Sequence, residues 1–368
     1  MNGRQGNGSD GRHIDDSVGR LEGEGSQQLV GHEDPASLQP LEVWGATPGV
    51  ADDRDGGATY YDRPVIKEPV WIWAVPAYFY VGGAAGAAVV LGEAVESLGR
   101  GEVDGLVRKA RWIGAVGGAT GSALLIYDLG RPERFLHMLR VWRPTSPMSV
   151  GSWVLAAASP IFAASALLPH VGGVWGRAGN VAGKAAAALG LPLAGYTAVL
   201  LSNTAVPLWQ EVRRSLPYLF VASAAASAAA LLEMTTLNER EQGIVRRFGT
   251  FAQTAELVAA HFLERDARRI ERVGLALESG MAARLWKTSK AATVTGVVVR
   301  WLPGRTRASS ILSGALGSVA GVAIRFALFH AGKASARDPR ASFDRQRAGR
   351  GAAAIGGQRA RTPPAPQP

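Results

Sequence analysis

"EPVWIWAVPAYFYVGGAAGAAVVLGEAVESL", residues 68–98, decides the fold. A hydrocarbon core about 30 Å thick takes about twenty apolar residues in a helix, and this run exceeds that. Trp71 and Trp73 stand at its start, where indole rings form a belt at the membrane–water interface. Gly82, Gly83, Ala84, Ala85, Gly86, Ala87 and Ala88 follow, a face on which another helix backbone can come close. The stretch predicts a membrane-spanning helix over 70–98 that packs against further helices.

Outward from it the pattern recurs. Spans are predicted at 106–127, 148–169, 184–204, 216–237, 248–264, 285–303 and 308–330, the sixth and seventh of the set being the least apolar. The expected fold class is all-α: a polytopic membrane protein of about eight transmembrane helices. Residues 1–67 and 332–368 are polar and glycine-rich with few large apolar side chains, so both tails are expected to be disordered around a membrane domain at 68–331. The opening "MNGRQGNGSDGRHIDDSVGR" has no apolar region, so the helix starting near Trp71 is expected to drive insertion. Eight crossings put both termini on one side, side A, together with the polar connections after the second, fourth and sixth spans. Lysine and arginine are nearly balanced between the loops of the two sides, so charge does not assign the orientation.

The net charge of +10 would suit nucleic acid, but the basic residues sit in loops and tails beside apolar runs. There they anchor helix ends and meet anionic lipid, and no nucleic-acid partner is expected. The chain has no cysteine, which excludes disulfides, the usual iron–sulfur ligation and cysteine–zinc sites within it. No pair of the six histidines has metal-ligand spacing, so no metal site is expected. A b-type haem needs paired histidines inside spans, and only His261 and His330 lie near enough to be considered.

Ionisable groups inside a bilayer cost roughly 2.5–3.5 kcal/mol each on insertion scales, so those present need reasons. Glu93 and Glu233 close the first and fifth spans towards side B. Glu256 lies midway along the sixth, His261 follows five residues later, and Arg325 lies late in the eighth. Two readings are open: carboxylates and histidine at different depths suit a proton route through Glu93, Glu233, Glu256 and His261, or the groups snorkel and pair near the interfaces.

"IYDLGRPERFLHMLRVWRPTSPMSVGSW", residues 126–153, packs Asp128, Arg131, Glu133, Arg134, Arg140 and Arg143 between two apolar runs. Pro132 and Glu133 suit the first turn of a short helix. The segment reads either as an interfacial loop held by Asp–Arg pairs or as a docking face for a soluble partner. Tyr127, just inside the membrane edge, is either a belt tyrosine or a donor to a carbonyl of a lipid-soluble ligand.

"RPVIKEPVWIWAVPAYFYVGGAAGA" (63–87), "DLGRPERFLHMLRVWRPTSPMSVGSW" (128–153) and "LLSNTAVPLWQEVRRSLPYLFVASAAAS" (200–227) together resemble the NrfD/polysulfide reductase membrane-subunit family over about residues 60–260. The resemblance implies eight helices in two four-helix bundles, in a subunit of the cell membrane that holds no haem and no iron–sulfur cluster. It implies electron exchange between a membrane quinone (menaquinone or ubiquinone) and a ferredoxin-like subunit with 4Fe–4S clusters, itself joined to a molybdopterin-type catalytic subunit. It makes the 126–153 segment a contact surface for the iron–sulfur partner and the rim of a quinone pocket, with Trp73, Tyr78, Tyr127, Asp128, Arg131 and Asn203 nearby. The alternative is a purely structural anchor, or a proton-conducting or transport subunit without quinone chemistry.

Overall fold

The computed structural model describes residues 13–15, 20–22, 66–99, 103–131, 133–301 and 306–347. In the N-terminal unit, two three-residue strands, β1 (His13–Asp15) and β2 (Arg20–Glu22), pair antiparallel with Ile14 opposite Leu21. Everything else described is helix and its connections. The expected disorder of the other residues of 1–65 lies outside the described residues.

Eight long helices match the eight predicted spans: α1 (Ala74–Leu98), α2 (Asp104–Asp128), α4 (Pro147–Leu167), α5 (Gly173–Ser202), α7 (Leu216–Glu233), α8 (Glu239–Ala267), α10 (Gly280–Trp301) and α11 (Arg307–Arg337). Short helices α3 (Glu133–Met138), α6 (Pro207–Glu211), α9 (Glu271–Glu278) and α12 (Pro339–Arg347) connect or follow them. Five of the long helices, α1, α4, α5, α7 and α11, are long and apolar enough to cross a membrane. The other three, α2, α8 and α10, match them in length but carry more charged residues, among them Arg111 of α2, Glu256 of α8 and Lys287 and Lys290 of α10. The fold is an all-α polytopic membrane architecture.

The helices pack as two four-helix groups, α1, α2, α4 and α5 in one and α7, α8, α10 and α11 in the other. The seam between them is built from small residues. A Cβ on Gly83 would touch Ala224 of α7 at 3.3 Å; within the first group, one on Gly86 would reach the Gly190 carbonyl of α5 at 2.6 Å. Ala87, Ala88, Ala194, Ala224 and Ala228 complete this close-packed face, which lipid alone would not drive together. The 82–88 run therefore makes the contact it predicts. Glu68, just before α1, bonds to Arg337 at the end of α11, which places both at side A. At side B, the Glu241 carboxylate takes the Leu106 N–H of α2 at 2.6 Å and the N–H of its own N-cap Asn238 at 3.0 Å. One acid thus satisfies orphan donors of two helix starts.

Several boundaries differ from the sequence reading. Helix α5 begins at Gly173, eleven residues before 184, because its glycines are packing positions. A Cβ on Gly179 would strike Pro169 at 2.5 Å, and one on Gly183 would strike Glu93 at 2.4 Å. Helix α8 begins at Glu239 rather than 248. The charged run expected as a loop is its first turn, with Asn238 and Glu241 forming a capping box. Helix α7 stops at Glu233, short of 237. The tail expected to be disordered from 332 is helical to Arg337 in α11 and again in α12; residues 348–368 lie outside the described residues. The 205–217 connection, read as a polar hinge, is buried over 206–209: Trp209 is fully enclosed and donates its indole N–H to the Leu328 carbonyl at 3.0 Å.

Candidate functional site

At side A the strap 66–73 lies across the ends of α2 and α11. The Ile72 N–H donates to Asp128 Oδ1 at 3.0 Å, so the last residue of α2 caps the chain entering α1. The next residue, Trp73, sets its ring 6.2 Å from that of Tyr127. Trp73 and Tyr127 are 56% and 62% exposed, so this aromatic pair faces outward at the membrane edge. On the other flank, Glu68 accepts from Arg337 at 2.5 and 3.0 Å and pairs with Lys333 at 3.2 Å. Burial works against the Glu68 charge, but these hydrogen bonds outweigh it and hold its carboxyl below the usual range. Lys333 is also within electrostatic reach of Asp128. Gly130, with φ of +67°, turns the chain off α2 into the 131–146 segment.

Three of the six residues named for the pocket therefore meet: Trp73, Tyr127 and Asp128. Tyr78 lies more than one turn deeper. It is fully enclosed and shares a hydrogen bond with the Tyr196 hydroxyl of α5, between rings 6.5 Å apart. Arg131 and Asn203 are exposed, and the Asn203 amide is spent on the Val199 carbonyl of its own helix. The segment after α2 stays on the surface: α3 buries no residue, and Leu136, Val141 and Trp142 are exposed beside Arg140 and Arg143. It is the exposed counterpart of the buried α6 connection.

The four residues named for a proton route do not form one line. Glu93 accepts from Arg111 of α2 at 2.7 Å, and the same guanidinium reaches Glu96 at 2.7 Å and Asn180 of α5 at 3.0 Å. Glu233 takes a bidentate pair from Arg300 of α10 at 2.7 and 2.9 Å, with Ser313 of α11 donating at 3.0 Å. The third Arg300 nitrogen donates to Gln253 of α8 at 2.5 Å. Each glutamate thus faces a buried arginine from another helix, which makes the pairs helix clamps. His261 is exposed on α8, on a different face from buried Glu256, because five residues turn a helix by roughly 140° beyond one full turn.

Glu256 is different. It is 2% exposed, with the Ser223 hydroxyl beside it and Arg325 as its nearest opposite charge. Arg325 is 1% exposed, donates to the Phe220 carbonyl at 3.0 Å and lies 3.8 Å over the Phe220 ring. Glu256 Oε1, Gln253 Nε2, and Arg325 Nε and Nη1 have no protein partner. The partners Arg111, Arg300, Gln253 and Tyr196 were not picked out by the sequence reading. A signal for one of them exists. Residues 78–93 and 218–233 repeat at a spacing of 140, with Tyr78 matching Tyr218, Ala84 matching Ala224, Leu91 matching Leu231 and Glu93 matching Glu233. A glutamate recurring at the same helical position asks for a buried cation in each half.

A cleft of about 490 Å³ opens where α8, α9 and α10 meet at side A, lined by Glu264, Arg268, Leu277, Glu278, Trp286 and Lys290 among others. Trp286 and Lys290 both donate to Glu264, at 2.5 and 2.8 Å, and Arg268 pairs with Glu278 at 2.9 Å. Among the described residues, no group of three or more His, Asp or Glu side chains is placed to hold a metal ion.

The family model described as polysulphide reductase, NrfD, matches residues 65–334 of the chain. A search of curated proteins finds no match.

Proposed function

Because the chain belongs to the NrfD family, whose members are membrane subunits of oxidoreductase complexes, we propose that it is the quinone-interacting anchor of an iron–sulfur, molybdopterin-type oxidoreductase. It passes electrons between menaquinone or ubiquinone in the bilayer and a ferredoxin-like subunit with 4Fe–4S clusters. That subunit joins it to the catalytic subunit that owns the terminal substrate. In this reading all eight long helices cross the cell membrane, with both termini on side A.

The observation that carries the proposal is the meeting of Trp73, Tyr127 and Asp128 at the membrane edge, beside an exposed basic and apolar segment. The residues present fit a quinone head. Tyr127 offers a hydroxyl donor, Trp73 a ring wall, and Asp128 a second carboxylate oxygen beyond the one held by Ile72. A quinone/quinol couple supplies two electrons and two protons when bound. Tyr127 would hold one head-group oxygen by donating to it. Asp128 would accept a hydrogen bond from a hydroxyl and take up its proton. Trp73 would keep water from that side of the ring, with Arg131 and Asn203 at the rim and Tyr78 beneath the site. Leu136, Val141 and Trp142, set among arginines, would give the iron–sulfur subunit its seat, an apolar core in a charged rim.

A proton route is a second reading, and one observation favours it at a single place. Glu256, Gln253 and Arg325 put several unpartnered polar atoms at the centre of the second bundle, where such groups are expensive unless they work. In that reading Glu256 is the proton-carrying group, while Glu93 and Glu233 hold helices.

A gentle-detergent pull-down of the tagged chain from its native membrane, with mass spectrometry, tests the proposal. A cysteine-rich ferredoxin-like protein with a molybdopterin-type subunit would support it. The chain recovered alone, or with transport components, would favour a structural anchor or transport subunit.

A further inference from the structure

The candidate quinone residues lie on α1 and α2, in the first bundle, but their surroundings do not. The last turns of α11, in the second bundle, bring Lys333 to the same place. His330, Lys333 and Arg337 lie three, then four, residues apart and share one helix face. That face looks at the strap before α1. Arg337 and Lys333 grip Glu68, Lys333 is within electrostatic reach of Asp128, and its ammonium lies 4.9 Å over the Phe329 ring.

The arrangement has more charge than a clamp requires. Arg337 already holds both oxygens of Glu68, at 2.5 and 3.0 Å. Lys333 adds only a looser contact there, at 3.2 Å, and is itself about one-fifth exposed. The strap links Lys333 to Asp128, since Lys333 pairs with Glu68 and the Ile72 N–H donates to Asp128 Oδ1, so its charge acts on Asp128 through space and not by a direct bond. Lysine suits this better than arginine would, since its compact charge pivots on a flexible stem.

We propose that Lys333 is a positioning residue of the quinone site: it supplies the counter-charge to Asp128, so that a head group bound against Trp73 and Tyr127 is held jointly by both bundles. The inference rests on the quinone reading above. It also adds a consequence. A ligand held across the seam ties the end of α11 to the ends of α1 and α2, so occupancy would stiffen side A.

The test uses the purified full-length chain in detergent and menadione as the probe, with quenching of Trp73 fluorescence as the readout, defined by difference from Trp73→Phe. Seven proteins are compared: wild type, the Trp73→Phe reference, Tyr127→Phe, Asp128→Asn, Lys333→Gln, Lys333→Arg, and Lys333→Gln combined with Asp128→Asn. We expect Lys333→Gln to weaken menadione binding by about tenfold, the order for losing one member of a partly exposed charge pair near a ligand. Lys333→Arg should recover most of the loss, and Lys333→Gln combined with Asp128→Asn should bind no more weakly than Asp128→Asn alone. Unchanged far-UV circular dichroism and thermal midpoint would show that Lys333→Gln has not simply loosened the strap. If Lys333→Gln binds like wild type while Tyr127→Phe or Asp128→Asn weakens binding, the inference is wrong and the quinone site stands. If none of the variants changes binding, the quinone reading of this site fails with it.

Discussion

The two bundles carry the same glutamate and answer it differently. Glu93 and Glu233 occupy matching positions at the side B ends of α1 and α7, and both are 5% exposed. In the first bundle the cation is Arg111, on the very next helix, and it shares its charge with Glu96, which is 40% exposed. In the second the cation is Arg300, on a helix distant in sequence, fully enclosed and bonded across α7 and α8, with α11 reaching the same carboxylate through Ser313. The first clamp, across α1, α2 and α5, is partly wet; the second, across α7, α8, α10 and α11, is dry. Gly249 explains how the second is possible. A Cβ there would stand 3.0 Å from the Arg300 guanidinium. A missing side chain on α8 makes room for the arginine of α10. Only the second bundle then adds Glu256 and Arg325 at mid-depth, whereas the candidate quinone residues gather at the first. The difference suggests a division of labour: ligand contact at side A of one half, buried charge in the other.

That comparison can be broken most easily at the clamps. Arg300→Met should cost about 3–5 kcal/mol, because it strands a buried carboxylate, and should lower the thermal midpoint in detergent more than Arg111→Met does. Adding Glu233→Gln to Arg300→Met should recover much of the loss. Equal losses for the two arginines would mean that the clamps are equivalent after all.

The next effect is steric. Gly183→Ala drives a methyl into Glu93 and Arg111 and should destabilise by about 1–3 kcal/mol. Gly243→Ala, which meets nothing within 4 Å, should be neutral or slightly stabilising in the same melt.

A smaller loss is expected from Tyr196→Phe. Removing one hydroxyl of the enclosed Tyr78–Tyr196 pair should cost about 1 kcal/mol, and menadione binding should be left intact, since the pair lies beneath the site rather than in it. A large change in binding would move the pocket inward to Tyr78.

The smallest effect concerns pH. The Glu68 carboxyl is held below its ordinary range, so its contribution to stability is present above that range and fades as pH falls through the lowered value. The group is partly exposed, so the effect should stay under about 1 kcal/mol. Glu68→Gln should remove this acid-side loss, seen as a flatter dependence of the thermal midpoint below neutral pH. An unchanged slope would show that the strap is held by its backbone and aromatic contacts alone.

How much of this was legible in the sequence follows physical lines. Apolar length located the long helices, most clearly α1, α4, α5, α7 and α11, which are apolar enough to cross a membrane. The small-residue run 82–88 announced the seam, since only glycine and alanine admit such an approach. Helix starts were harder. The charged residues of 238–247 look like a loop until Asn238 and Glu241 are seen to cap, and the glycines of 173–183 look like a linker until their partners are known. At the site, Trp73, Tyr127 and Asp128 could be grouped because they flank adjacent spans. Lys333 could not, since it arrives from the far end of the chain. Partner choice fails in sequence for the same reason: nothing local links Glu233 to Arg300.

The central claim is that side A exchanges electrons between quinol and an iron–sulfur partner. The most direct measurement is electron paramagnetic resonance of the co-purified complex after anaerobic addition of menadiol, with the wild-type chain and with Tyr127→Phe combined with Asp128→Asn. The account predicts reduced-cluster signals that appear quickly in the wild type and slowly or not at all in the variant, while dithionite reduces both alike. Equal cluster reduction by menadiol in both would contradict it.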